Sequence, residues 1–84
     1  MMYEIIILPI AQRQLEKLKK RVQERILDSL ERIRIRPYSF VKKLTNSSLY
    51  KLRIGDYRII MKIISNTMTI YVVEMGHRRN IYKQ

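Results

Sequence analysis

Eighty-four residues make a single small domain, with room for a hydrophobic core but not a generous one. Eighteen Lys and Arg against seven Asp and Glu leave a formal net charge of +11, which points to a polyanionic partner. With no cysteine and one histidine, disulfides, thiolate zinc and an all-protein catalytic metal site are not expected.

The charge is spread along the chain. Residues 1–48 carry eleven basic and five acidic groups, and residues 49–84 carry seven and two, so there is no detachable basic tail. Two glycines, two prolines and 46% hydrophobic residues argue against disorder. The opening residues, Met1-Met2-Tyr3-Glu4, carry no positive stretch of a leader, and no apolar run reaches membrane-spanning length. A cytoplasmic protein without a membrane partner is expected, and the lack of cysteine fits a reducing compartment.

In chain order, Tyr3 to Leu8 reads as a buried first strand. Pro9 suits the opening of a helix, where its missing N–H costs nothing. Ala11, Leu15 and Leu18 recur at helical spacing, and Val22, Ile26, Leu30 and Ile33 form a second stripe. The short Lys19-Lys20-Arg21 link makes the two helices a hairpin. Pro37 closes the second one, because the residue before proline is pushed out of the α region.

The period then changes. Leu49 to Ile54, Tyr57 to Ile64 and Thr67 to Met75 are rich in Ile, Val, Tyr and Thr and read as strands. Gly55-Asp56 and Ser65-Asn66 are the expected two-residue hairpin loops. The expected order is β-α-α-β-β-β. This is an α+β fold: a small antiparallel sheet with a two-helix hairpin packed on one face.

A loop at Gly55-Asp56 sets Arg53 opposite Arg58 and Lys51 opposite Ile60. Alternation then gives Lys51, Arg53, Arg58 and Lys62 one face of the sheet. Tyr50, Leu52, Ile54, Tyr57, Ile59, Met61 and Ile63 take the other face and cover the helices. Like charges directly across a strand pair destabilise by about 0.2–1 kcal/mol. An anion held between Arg53 and Arg58 removes that penalty, and a phosphate is the obvious one. A loop at Ser65-Asn66 sets Arg58 opposite Val73 and Tyr57 opposite Glu74, with Tyr71 on the basic face, suited to stacking on a base. The segment from Gly76 to Arg78 then emerges beside Arg58. The charges of Lys17, Lys19, Lys20 and Arg21 are read as an ordinary solvated helix face.

The run Tyr50-Lys51-Leu52-Arg53-Ile54-Gly55-Asp56-Tyr57-Arg58 precedes an apolar strand and then Gly76-His77-Arg78-Arg79 with Tyr82. Together these resemble the RelE/ParE toxin superfamily, and more narrowly its RelE-type messenger-RNA endoribonucleases. The resemblance covers the whole chain in length, element order and motif placement. It implies a RelE-like microbial RNase fold, a single toxin domain over residues 1–84, and a type II toxin–antitoxin system. In that family the toxin occupies the ribosomal A site and cleaves the messenger there, inhibiting translation. A small acidic RelB-like antitoxin wraps around it and blocks access.

The resemblance carries the family's basic strand residues onto Lys51 and Arg53 and its phosphate-stabilising arginine onto Arg58. Its late arginine falls on Arg78 and its C-terminal tyrosine on Tyr82. The implied reaction is attack of the ribose 2′-oxygen on the neighbouring phosphate, leaving a 2′,3′-cyclic phosphate and a free 5′-hydroxyl. Lys51 is the candidate base, and Arg58 with Arg53 stabilises the phosphorane charge. Arg78 or His77 serves the leaving group, and Tyr82 orients the 2′-hydroxyl or stacks on a base. Lys62, Tyr71, His77, Arg79 and Lys83 complete the candidate RNA contacts. No metal or other cofactor is required. Two other readings use the same scaffold: a ParE-type inhibitor of DNA gyrase, and an RNA- or ribosome-binding module without turnover.

Overall fold

The computed structural model describes residues 1–77, in the order β1 (Glu4–Ile7), α1 (Pro9–Glu16), α2 (Lys20–Ile33), a 3-10 turn (Pro37–Ser39), β2 (Lys42–Lys43), β3 (Tyr50–Ile54), β4 (Tyr57–Ile64) and β5 (Thr69–His77). The sequence periodicity explains the helices. Ala11 and Leu15 of α1 and Ile26, Leu30 and Ile33 of α2 fall at helical spacing, and all five are buried. Pro9 opens α1 as expected. The link between the helices sits earlier than the sequence suggests, since α1 ends at Glu16 and α2 begins at Lys20. Leu18 packs on the core from within that link, and the Gln23 amide holds its carbonyl at 2.9 Å.

The strands form one five-stranded sheet in the order β1-β5-β4-β3-β2. Ile59, Met61, Ile70, Val72 and Met75 meet the helices in a single core, each no more than 1% exposed. The α+β architecture with a helical hairpin on one face is therefore observed. Two details differ from a purely antiparallel four-stranded sheet. β2 adds a short fifth strand against β3, and β1 pairs with β5 in parallel. The parallel pairing follows from the hairpin, which returns the chain to the end where β1 starts. There the Tyr3 N–H donates to the Arg34 carbonyl at 2.9 Å, and the Arg34 Nε donates to the Tyr3 carbonyl at 2.8 Å. β1 lies at the sheet edge and is not fully buried, for Glu4 and Ile6 are exposed while Ile5 and Ile7 pack on the core.

Two features of β4 and β5 set the site. The Gly55-Asp56 turn is the expected one. Gly55 has φ +57 and Asp56 does not share that region, the pattern of a type II′ turn with glycine at its first central position. The next loop is longer than expected. It spans residues 65–68, with the Met68 N–H donating to the Ser65 carbonyl at 3.1 Å and Met68 itself at φ 50. A bulge then falls in β5, where Ile60 pairs with Glu74 but Met61 pairs with Val72. Val73 is the extra residue. Without it, the alternation that buries Ile70 and Val72 would drive Glu74 and Gly76 into the core. With it, Met75 is buried at 1% exposure and Glu74 turns to the other face. The Met75 N–H, beside the bulge, donates at 2.7 Å to the Oε1 of Gln14 on α1.

Candidate nucleic-acid interface

The face of the sheet away from the helices is built from rows of directly paired residues. One row runs Lys42, Lys51, Ile60, Glu74, and the next runs Arg53, Arg58, Gly76. Directly opposed residues share a face, so strand alternation alone gathers the cations. Arg58 stands opposite Gly76 and Tyr57 opposite His77, not opposite Val73 and Glu74 as a two-residue second loop requires. The longer loop and the bulge make that difference. It leaves Arg58 on the expected face, with no side chain on the residue paired with it in β5.

Lys42, Lys51, Arg53 and Arg58 line one cleft of about 160 Å³, together with Phe40. Arg58, on a central strand, is 7% exposed and forms its floor, while the exposed Arg53 and Lys42 and the half-buried Lys51 stand around it. The Arg53 Nε donates to the Gly55 carbonyl at 3.3 Å, so the hairpin turn steadies this guanidinium on the rim. No carboxylate lines the described walls. Such a site favours a compact multivalent anion, and guanidinium groups offer the paired donors that suit phosphate oxygens.

The other sequence candidates separate. Lys62 shares the basic face and pairs with Tyr71, which is half-buried there as expected. Lys62 is four residues along β4 from Arg58, roughly 13 Å at about 3.3 Å per residue, and neither it nor Tyr71 on β5 lines the cleft. His77 is on the opposite face. Its ring meets Tyr57 edge-on, with centroids 5.6 Å apart, at the helix side of the sheet. Arg78, Arg79, Tyr82 and Lys83 lie outside the described residues. Among the described residues, no group of three or more His, Cys, Asp or Glu is placed to hold a metal ion. No described helix is long and apolar enough to cross a membrane.

Lys42 and Phe40 are the lining residues that sequence reasoning missed. A two-residue strand has no periodicity to detect, and the alternation of Lys42 with Lys51 exists only once β2 is known to pair.

A family model for the ParE toxin of type II toxin–antitoxin systems (parDE) matches residues 5–82. The chain thus belongs to a known class of toxin. The chain is a member of the RelE/ParE superfamily and a toxin of the type II toxin–antitoxin kind. Among curated proteins, none matches the sequence significantly. Solved structures match closely in shape. The toxin–antitoxin complex RelBE2 of Mycobacterium tuberculosis contains a chain with TM-score 0.86 and 22% identity, covering 93% of this chain and 100% of that one. The archaeal RelE–RelB complex of Pyrococcus horikoshii gives TM-score 0.80 and 27% identity, covering 93% and 97%. The intact RelBE complex of E. coli gives 0.78 and 21%, covering 89% and 95%.

Proposed function

We propose that the protein is a metal-independent, ribosome-dependent endoribonuclease that cleaves messenger RNA in the A site and so stops translation. The observation that carries this reading is the gathering of Lys51, Arg53 and Arg58 around one small cleft. In the proposed reaction the 2′-oxygen attacks phosphorus, the new P–O2′ bond forms and the P–O5′ bond breaks. The 2′-hydroxyl proton passes to a base, and the departing 5′-oxygen takes up a proton. Lys51 is the base, and Arg58 and Arg53 hold the phosphorane oxygens, whose charge is greatest in the transition state. Arg78 and Tyr82 are assigned to the leaving group and the 2′-hydroxyl by family resemblance alone. His77 faces away from the cleft and is left out of the chemistry. A RelB-like acidic antitoxin is the proposed partner: related solved complexes pair such a toxin with RelB, and an acidic chain would complement the basic face.

Cleavage mapping on programmed ribosomes tests the reading. Arg58→Ala is expected to slow cleavage about 10²–10³-fold, the usual loss for one oxyanion donor. A substrate with one 2′-deoxy sugar at the cut site is expected to remain intact. Uncut messenger with the wild-type chain, or cleavage untouched by both changes, overturns the proposal. A second reading, inhibition of DNA gyrase, is favoured by the family model that the chain matches. Loss of supercoiling activity in purified gyrase, with ribosome-bound messenger left intact, would establish it instead.

A further inference from the structure

Phe40 stands out on the wall of the cleft. It is 48% exposed, lines the same space as Lys42, Lys51, Arg53 and Arg58, and has no place in the hydrophobic core. Exposing an aromatic ring forfeits apolar burial, and the segment that carries the ring is firmly held. The Phe40 N–H donates to the Pro37 carbonyl at 3.1 Å, and the Ser39 N–H to the Arg36 carbonyl at 3.1 Å. On one side, Tyr38 shares a 2.6 Å hydrogen bond with Ser65 and meets the Tyr50 ring edge-on at 5.5 Å. On the other side, Val41 packs on the core. The chain is therefore anchored at both neighbours while the ring itself is presented outward, beside four cations.

We infer that Phe40 is a nucleobase platform: it stacks on the base of a nucleotide whose phosphate lies in the cationic cleft, with Lys42 contacting the backbone alongside. The inference rests on the RNA-directed reading above and adds a base subsite to it. Aromatic faces next to phosphate-binding cations are how single strands are gripped, since every base offers a π face while the charges follow the backbone. The alternative role for the ring is to cover the aliphatic stems of Lys42 and Arg53. Leucine fills that role as well as phenylalanine does, so the two accounts are separable.

The test uses the purified chain and two fluorescent RNA tetranucleotides, 2′-O-methylated so that they are not cut, one complete and one with abasic sugars throughout. Binding is read by anisotropy for wild type, Phe40→Leu, Phe40→Trp and Arg58→Ala. Stacking on one base predicts that wild type prefers the complete strand by roughly 5- to 150-fold. Phe40→Leu is expected to lose that preference while binding the abasic strand as wild type does, and Phe40→Trp to keep it. Equal binding of both strands by wild type overturns the base platform, and so does a preference that Phe40→Leu retains. In either case, weakened abasic binding by Arg58→Ala leaves the phosphate site standing. If wild type binds neither strand, the base platform and the phosphate site fall together for the free chain. Cleavage on the ribosome then decides the RNA-directed reading by itself.

Discussion

Replacing Gln14 with leucine isolates the contact that holds the β5 bulge. The Gln14 Oε1 accepts the Met75 N–H at 2.7 Å, across a gap of 61 residues in sequence, in a partly buried setting. Leucine keeps the volume and removes the acceptor. A buried donor left without a partner costs about 1–3 kcal/mol, and partial access to water favours the lower part of that range. At this chain length 1 kcal/mol is worth about 4–8 °C in melting temperature. The Leu variant is therefore predicted to melt about 4–15 °C lower, as read by circular dichroism. Gln14→Glu keeps an acceptor oxygen and should remain within a few degrees of wild type. Amide exchange at Met75 should quicken in the Leu variant only. The bulge also sets Gly76 opposite Arg58, so the proposed cleavage should fall off more steeply with temperature in the Leu variant. If Gln14→Leu melts with wild type, or Gln14→Glu melts as low as Leu, the contact does not stabilise the bulge.

Other substitutions probe separate features. Lys42→Glu turns the Lys42–Lys51 pair from like to opposite charge. It should raise stability by about 0.2–1 kcal/mol in urea unfolding while weakening oligonucleotide binding. Gly55→Ala places a Cβ at φ +57, 3.2 Å from an Arg25 guanidinium nitrogen, and is expected to cost about 1–2 kcal/mol, read as a lower melting temperature. Ile26→Ala empties a site that is 0% exposed and should cost about 2–5 kcal/mol in denaturant midpoint with the slope unchanged. If all four cleft cations contact phosphates, log affinity should fall against log salt with a slope of about −3. Arg58→Ala should make that slope shallower by about 0.7.

The parts of this molecule that were legible in its sequence are those governed by simple periods. The apolar stripes of α1 and α2 fixed both helices, and the alternation through β3 and β4 around Gly55-Asp56 put Lys51, Arg53, Arg58 and Lys62 on one face. The β4–β5 register was not legible, because two local irregularities interrupt the period. Methionine at position 68 gives no sign of a left-handed backbone, and the bulge at Val73 is held by a glutamine far away in sequence. The identity of a buried strand residue says which face it prefers, and an extra residue silently exchanges the faces. Lys42 was hidden for the opposite reason: it lies on a strand too short to have a pattern, and its pairing with Lys51 of β3 exists only in space.

The two-lysine β2 strand has a consequence for self-association. It forms the outer border of the sheet, and a bare border invites identical molecules to extend the ladder. Here that border is only two residues long and carries an ammonium on each. Two copies meeting along it would gain little backbone pairing while pressing four positive groups together on molecules already strongly cationic. The border thus acts as a gatekeeper against runaway polymerisation, and the lysine that faces the cleft also keeps the free chain dispersed.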